Sequence, residues 1–141
     1  MNDTESKILI LNSSFEEIEK LRPFLLSLAD WNKYEDDQFR EMRLAVNEAV
    51  TNAIVHGNKE GEEKQVRIKA LLKEDKLYVT VQDEGDGFDP EILENPLSED
   101  NLLKESGRGI FLIKQHADEV SFLKGGTAIK MQFKLLPKRA K

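Results

Sequence analysis

Two short runs of alternating apolar residues, joined by one turn, restrict the possible folds of this chain more than any other feature. Apolar side chains occupy every second position of residues 66–72 and again of residues 77–81, with the turn Glu74-Asp75-Lys76 between them. Successive side chains of a strand point to opposite faces, so this period of two indicates strands with one buried face. The two runs are therefore predicted to form an antiparallel β-hairpin.

A second hairpin is predicted near the end of the chain, and a single strand near its beginning. Residues 120–123 and 128–135 flank Gly125-Gly126, a dipeptide suited to a tight turn, and the second run has apolar residues at alternate positions. Residues 7–11 contain an apolar run that is too short for a helix. We expect this run to form a buried strand.

Three segments have the pattern of helices. The longest covers residues 36–56, because an aspartate at its start can cap it and a glycine directly after its end supplies a stop signal. A preceding helix has apolar residues along one face of residues 18–28, and Pro23 should kink this helix or shift its start. A third helix is predicted over residues 107–117.

The order of these elements predicts the architecture. Strands that follow one another in sequence favour a mixed, mostly antiparallel sheet with helices on one face. The expected fold is a two-layer α/β sandwich of the α+β type, which forms a single domain over residues 1–141. Residues 84–106 hold two prolines and many acids without a sustained period, so we expect a long loop that acts as a lid.

Composition excludes several classes of protein. Hydrophobic residues make up 39% and charged residues 34% of the chain, which is typical of a globular domain. The net charge of -6 argues against a broad nucleic-acid surface, which needs clustered Lys and Arg. The chain has no cysteine, no signal-peptide pattern at its start and no apolar run long enough to span a bilayer, so we expect a cytoplasmic protein that does not enter a membrane.

Polar residues of the second helix form the first chemically informative cluster. Glu48, Asn52 and His56 follow one another at i, i+4 spacing, so they lie on one stripe of the helix beside its apolar face. An amide oxygen at this position can ligate Mg²⁺, and a carboxylate can accept a proton. An ordinary polar helix edge has the same pattern, and His56 is also typical of the end of a helix.

An acidic turn after the first hairpin is the second cluster. Asp83 has the same strand parity as the apolar residues 77–81, so its carboxylate should point inward and requires a hydrogen-bond donor, such as the exocyclic amine of a purine. Gly85 and Gly87 allow a ring or phosphate to approach the backbone. A tight acidic turn remains an alternative, whereas the spacing does not fit a calcium-binding EF-hand loop.

A glycine-rich segment before the third helix is the last cluster. Gly107, Arg108 and Gly109 precede an apolar helix, and free N–H groups at such a helix start bind phosphate. The segment is neither a dinucleotide fingerprint nor a Walker loop, and alone it could be a plain loop-to-helix junction. Together, the three clusters supply the parts of one nucleotide site, namely metal and base, adenine, and phosphates.

These residues resemble the motifs of one known superfamily. The stretch from Glu48 to Gly57 resembles the N box of the GHKL ATPases, which have the Bergerat ATP-binding fold. Asp83-x-Gly85-x-Gly87-Phe88 is similar to the G1 box and Gly107-x-Gly109 to the G2 box, while Gly126-Thr127 is similar to the final Gly-Thr signature. The N box is similar to that of the bacterial anti-sigma-factor serine/threonine kinases.

The resemblance implies a function and a role for each residue. Glu48 would be the general base, Asn52 the Mg²⁺ ligand and Asp83 the partner of the adenine amine. The nucleotide-binding residues that it implies are Asn52, His56, Asp83, Gly85, Gly87, Phe88, Gly107, Arg108, Gly109 and Thr127. The family reaction transfers the γ-phosphoryl group of ATP to a serine or threonine of an anti-anti-sigma partner, and the protein, commonly a homodimer, also sequesters a sigma factor. The alternative is a non-catalytic module that binds nucleotide and regulates a protein partner.

Overall fold

The computed structural model of the protein describes residues 6–58, 63–85, 105–123 and 127–139. The strands are β1 (Lys7–Asn12), β2 (Gln65–Lys73), β3 (Lys76–Gln82), β4 (Glu119–Leu123) and β5 (Ala128–Lys134). The α-helices are α1 (Leu21–Leu26), α2 (Gln38–Asn52) and α3 (Glu105–His116). Two 3₁₀ helices, Phe15–Lys20 and Trp31–Lys33, flank α1, and a π-helical turn, Ala53–Gly57, follows α2.

The five described strands form one sheet in the order β1-β2-β3-β5-β4. Each neighbouring pair is antiparallel. The two hairpins expected from the alternating residues are the β2–β3 and β4–β5 pairs, and β3 joins them by pairing with β5. The predicted antiparallel α+β fold is confirmed.

The sheet buries one face against the helices. Val79 of β3 lies opposite Met131 of β5, and Ile68 of β2 lies opposite Val81, two residues further along β3. Ile68, Val79 and Met131 are fully buried. Alternate residues of the same strands, such as Arg67 and Lys130, are exposed. The buried face packs against the apolar residues of α2, namely Met42, Ala45, Val46, Ala49 and Val50. The result is the two-layer arrangement that the sequence predicted.

The turn of the first hairpin uses two residues in left-handed backbone conformation. Glu74 has a φ of 50° and Asp75 a φ of 64°, values that glycine and asparagine adopt most readily. Contacts from outside the hairpin hold this turn. The buried Tyr34 donates a hydrogen bond from its hydroxyl to Asp75 Oδ1 at 2.6 Å, and Leu135 N donates to the Asp75 carbonyl at 2.8 Å.

Strand β1 exists as predicted, but it is not buried along its length. Leu11 is fully buried, whereas Ile8 and Ile10 are 47% and 50% exposed. The reason is position, because β1 is at the edge of the described sheet and no described element covers the outer face, where Ile8 and Ile10 lie opposite the exposed Lys69 and Arg67. An uninterrupted apolar run is therefore compatible with a half-exposed edge strand as well as with a buried one.

Pro23 divides the first helical segment, as the sequence suggested. Residues Phe15–Lys20 form a 3₁₀ helix, and the α-helix begins only at Leu21. Proline has no N–H to donate to the carbonyl four residues earlier, which belongs to Glu19, and its ring would collide with that carbonyl in a continuous α-helix. Pro23 thus lies in the first turn of α1, where its missing donor costs nothing.

Helix α2 departs from the prediction at its end. The sequence predicted one α-helix to residue 56, but α-helical geometry ends at Asn52 and a π-helical turn continues to Gly57. Asn58 N donates to the carbonyl of Ala53 at 2.8 Å, which is the five-residue spacing of a π turn. Such single turns within helices often occur at functional sites.

Helix α3 packs along α2 in the opposite direction. His116, its last residue, places Nδ1 2.6 Å from Oε1 of Glu41, near the beginning of α2. Ile113 of α3 is fully buried in the same core. The end of α3 thus lies beside the beginning of α2, and the two helices pack against each other. The start of α3 therefore lies towards the end of α2. The helix starts at Glu105, so the loop predicted for residues 84–106 ends two residues too late.

No helix in the described ranges is both long and apolar enough to cross a membrane.

Candidate functional site

Helix α2 carries the first two predicted site residues on one stripe. Glu48 and Asn52 are four residues apart within regular α-helix, which makes their side chains neighbours. Both are half-buried, whereas Ala49 and Val50 between them are in the core. For Glu48 and Asn52, the predicted position beside the apolar face of α2 is confirmed.

The amide of Asn52 has an unmet hydrogen-bonding need. Its Nδ2 atom is buried and has no hydrogen-bond partner among the residues that the structure describes. An unpaired buried donor costs about 1–3 kcal/mol. A ligand acceptor next to Asn52, such as a phosphate oxygen, would remove this cost.

The residues around Asn52 fit a magnesium ion that is shared with a substrate. Mg²⁺ usually keeps several waters and is held by one or two protein groups together with substrate phosphates. The described residues contain no cluster of three or more His, Cys, Asp or Glu that could cage a metal. The Asn52 amide oxygen is one group of the kind that could share a magnesium ion with a phosphate.

His56 does not continue the stripe in α-helical register. Its backbone belongs to the π turn Ala53–Gly57, which has more residues per turn than an α-helix. The i, i+4 step from Asn52 to His56, on which the predicted three-residue stripe depended, therefore does not hold. The His56 side chain lies outside the described residues.

Asp83 extends the sheet by one residue beyond β3. Its N–H donates to the carbonyl of Thr127 at 2.8 Å, which continues the β3–β5 ladder after the pair Gln82–Ala128. Thr127, one of the predicted nucleotide-binding residues, lies directly beside Asp83 even though 44 positions separate them in sequence. The neighbouring Gly85 donates its N–H to Asp83 Oδ1 at 2.7 Å.

The carboxylate of Asp83 is held in an unfavourable environment. Burial raises the pKa of Asp83 above its usual value, while the hydrogen bond from Gly85 and the charge of Lys64 act in the opposite direction. The raised pKa means that the protein disfavours the charged form relative to water. Carboxylates held at such a cost are concentrated at functional sites.

A buried asparagine, Asn58, connects the end of α2 to the residue after Asp83. Asn58 is 1% exposed. Its Oδ1 accepts from Glu84 N at 2.6 Å, and its Nδ2 donates to Ser13 Oγ at 2.6 Å and to the Gln65 carbonyl at 3.0 Å. Sequence reasoning did not identify Asn58 or Ser13. The only local signal was an asparagine directly after a helix-ending glycine.

Glu84 is anchored in the same network. Besides its N–H bond to Asn58, its Oε2 accepts from Gln65 N at 2.5 Å at the start of β2. The sequence assigned Glu84 to the beginning of the lid. Two hydrogen bonds fix it to different elements, and residues 86–104 of the predicted lid lie outside the described residues.

Several predicted site residues cannot be compared with side-chain positions. Gly87 and Phe88 lie outside the described residues. Gly107, Arg108 and Gly109 have described backbone only, and they lie inside the first turns of α3. The predicted junction before the helix is therefore the helix start itself, where the first four N–H groups have no intrahelical acceptor.

The described residues thus bring three of the predicted clusters towards one end of the molecule. Asp83 and Thr127 pair directly, and Asn58 joins the turn after Asp83 to the end of α2, which carries Glu48 and Asn52. The antiparallel packing of α3 on α2 directs the start of α3 to the same end. A carboxylate, an unpaired amide and a helix start therefore lie towards the same end of the fold.

Comparison with known proteins identifies the family. Residues 11–133 match the model of the histidine kinase-like ATPase domain, and this range includes Glu48, Asn52, Asp83 and Thr127. The chain therefore belongs to the histidine kinase-like ATPase domain family, as its three motifs predicted.

Individual relatives are serine-protein kinases. The serine-protein kinase RsbW of Staphylococcus aureus (strain JH9) is 37% identical to this chain, over 67% of the chain and 65% of that protein. The protein of the same name from Bacillus subtilis (strain 168) is 35% identical, over 71% of this chain and 66% of that protein. The matched region thus spans just under two thirds of these relatives' own length.

A solved structure supports the fold. The crystal structure of the RsbU and RsbW domains of Rv1364c from Mycobacterium tuberculosis matches this chain with a TM-score of 0.66 at 16% sequence identity. The match covers 96% of this chain and 34% of that one. At this identity the likeness concerns the fold, and the fold that it supports is the open antiparallel sheet with helices described above.

Proposed function

We propose that this chain is a serine/threonine protein kinase of the anti-sigma-factor type, which binds Mg-ATP and phosphorylates an anti-anti-sigma partner. The observation that carries the proposal is the half-buried Asp83 carboxylate at the end of β3, next to Thr127 and tied through Glu84 and Asn58 to the end of the helix that holds Asn52. The family assignment and the names of the relatives support the kinase class.

In this proposal Asp83 and Thr127 recognise the base. Asp83 presents a half-buried carboxylate that accepts a hydrogen bond from the exocyclic amine of adenine. Burial raises the pKa of Asp83, and a bound amine would supply a donor in addition to Gly85 N. Gly85, Gly87 and Phe88 would shape the pocket around the ring, and Thr127, paired to Asp83 through the backbone, would support its edge.

The stripe on α2 then serves the phosphates. Asn52 would hold the Mg²⁺ that accompanies ATP through its amide oxygen, and its buried, unpaired Nδ2, a donor, supports a phosphate oxygen beside it. When bound, the ion supplies positive charge that offsets the charge of the γ-phosphate. Gly107, Arg108 and Gly109 would contact the phosphates from the start of α3.

Glu48 is proposed as the general base of the transfer. Its carboxylate accepts the proton of a serine or threonine hydroxyl while that oxygen forms a bond to the γ-phosphorus of ATP. The bond between the γ-phosphorus and the bridging oxygen breaks, and ADP leaves with that oxygen. Most of the rate gain comes from positioning and charge neutralisation.

The test is phosphotransfer with and without Glu48. The protein is incubated with labelled ATP and candidate anti-anti-sigma proteins, and phosphoserine or phosphothreonine is sought in the partner. Glu48→Ala should abolish transfer and largely preserve ATP binding. If this variant transfers phosphate at the wild-type rate, Glu48 is not the base. Wild-type protein that binds ATP without transfer to any partner would instead identify the non-catalytic regulatory module.

We also propose that the chain acts in the cytoplasm, where ATP is available, that it binds a sigma factor and that it forms a homodimer. The exposed apolar residues Ile8 and Ile10 on the edge strand β1 support a dimer, since an apolar sheet edge readily pairs with a second copy. Ile10→Lys should convert a dimer to a monomer in sedimentation experiments. A wild-type monomer at micromolar concentration would contradict the dimer.

A further inference from the structure

We propose that Asn58 is a positioning residue of the nucleotide site, which fixes Asp83 and the turn after it against helix α2 and so sets the affinity for the adenine base. The inference rests on the proposed function, because it assumes that Asp83 contacts adenine. It adds a residue that belongs to none of the three motifs and that lies between two of them in space.

The first argument is the geometry of the Asn58 amide. Both polar atoms of this buried side chain are used: Oδ1 accepts from Glu84 N, and Nδ2 donates to Ser13 Oγ and to the Gln65 carbonyl. Glu84 follows β3, Ser13 follows β1 and Gln65 begins β2. One amide thereby holds the ends of three strands relative to the end of α2.

The second argument is what Asn58 does to the helix. Its own N–H donates to the Ala53 carbonyl, which closes the π turn directly after Asn52. The wider turn carries the Asn58 side chain into the space between the strand ends. A π turn inserts one extra residue into a helix and is costly without compensation, so its presence beside Asn52 indicates that the Asn58 contacts favour it.

The third argument is the direct link to Asp83. Glu84 N is one residue from Asp83, and the hydrogen bond to Asn58 is 2.6 Å long. On the other side, Asp83 N is fixed to Thr127. The backbone of Asp83 is therefore held between β5 and the end of α2, and removal of the Asn58 amide would release one of these two restraints. No other described side chain accepts a hydrogen bond from Glu84 N.

The experiment compares the ADP affinity of variants that each lose hydrogen bonds of a buried side chain. Asn58→Ala removes the restraint on Glu84. Tyr34→Phe also removes a hydrogen bond made by a buried side chain, but its partner Asp75 lies at the opposite end of β3 from Asp83. Ser13→Ala removes only the Asn58 Nδ2 contact to Ser13 Oγ and leaves the bond to Glu84 N. Dissociation constants for ADP and GDP are measured by calorimetry, and the unfolding midpoints are measured in parallel.

Asn58→Ala should weaken ADP binding about 10-fold or more and reduce the preference for ADP over GDP, since a misplaced Asp83 no longer reads the adenine amine. Tyr34→Phe and Ser13→Ala should change ADP affinity less than about 2-fold despite lower stability. If Asn58→Ala does not fold, Asn58→Ser, whose hydroxyl is too short to reach Glu84 N, takes its place with the same expectation.

Three results would overturn the inference. The first is an ADP affinity of the Asn58 variants equal to that of wild type, and the second is a fall of less than about 2-fold, the same as in the two control variants. In both cases Asn58 acts on the fold alone and the proposed nucleotide site stands. Wild-type protein that binds no ADP would instead remove the proposed function, and the role of Asn58 with it.

Discussion

Replacing Asp83 with asparagine should separate the stability of this protein from its function. The substitution keeps the size of the side chain, and the asparagine oxygen can still accept the hydrogen bond from Gly85 N. It removes the carboxylate of Asp83, and burial raises the pKa of this carboxyl group. Because the folded protein disfavours that charge, stability at neutral pH should stay the same or rise.

Nucleotide binding should respond in the opposite direction. The adenine amine is a donor, and a charge-assisted hydrogen bond to a carboxylate contributes about 1.5–3 kcal/mol. Asparagine offers a weaker acceptor, and in one orientation it offers a second donor that faces the amine. At about 1.4 kcal/mol per factor of ten, the loss corresponds to about 10-fold to 150-fold in the dissociation constant for ATP.

Calorimetric titration with ATP and urea unfolding of the same samples measure both effects. Asp118→Asn is the matched control, because Asp118 Oδ2 also accepts a backbone hydrogen bond, from Lys134 N, at a surface position away from the site. This control should bind ATP as wild type does. An Asp83→Asn protein with unchanged ATP affinity, or one that unfolds more readily than wild type, would refute the reasoning about this carboxylate.

Two further predictions concern the turn of the first hairpin. Burial, with a further contribution from Asp75, raises the pKa of the Tyr34 hydroxyl from 10.0 to about 12. The unfolded chain therefore loses this proton at a lower pH than the folded protein does. The stability that Tyr34 contributes should disappear between pH 10 and about 12. At neutral pH the unfolding free energy of wild type should therefore exceed that of Tyr34→Phe by about 2 kcal/mol. Urea titrations at several pH values should show this difference vanish between pH 10 and about 12. A difference that stays constant over this pH range would contradict the prediction. Glu74→Gly should stabilise the protein by about 1 kcal/mol, because glycine adopts the left-handed conformation of Glu74 without strain, whereas Glu74→Ala should give no gain in the same assay.

The sheet and the longest helix were predictable because their signals are local. Alternation over residues 66–72 and 77–81 fixes the face of each strand, and the turn between them fixes the pairing. The apolar stripe of α2 likewise fixes which side of the helix is buried. The order β1-β2-β3-β5-β4 depends on pairing between distant segments, and no local pattern specifies it.

Residues of the candidate site were predictable where the local sequence alone indicates the role of the side chain. Asp83 was identified because its strand parity directs a carboxylate inward, and Thr127 because a Gly-Thr pair precedes the last strand. Asn58 was missed because its partners Ser13 and Glu84 are 45 and 26 residues away. The π turn was missed for the same reason, since it depends on where the Asn58 side chain finds partners and not on the periodicity of α2.

The exposure of β1 could not be read from its composition. Residues 7–11 have the same apolar character whether a second layer covers one face or both. Its place at the edge of the described sheet decides the matter, and that place follows from pairing with β2 over 50 residues later. In the same way, Pro23 predicted a break in the first helix. The 3₁₀ helix before it depends on the collision that the proline ring would have with the Glu19 carbonyl in a continuous α-helix.

The central claim is that residues far apart in the chain bind one adenine nucleotide. An NMR titration of isotope-labelled protein with ADP and Mg²⁺ tests it directly, by following the side-chain amide of Asn52 and the backbone amides of Gly85 and Thr127. All three signals should shift along saturation curves with one common dissociation constant. Signals that stay in place, or that saturate at different ADP concentrations, would show that these residues do not form a single nucleotide site.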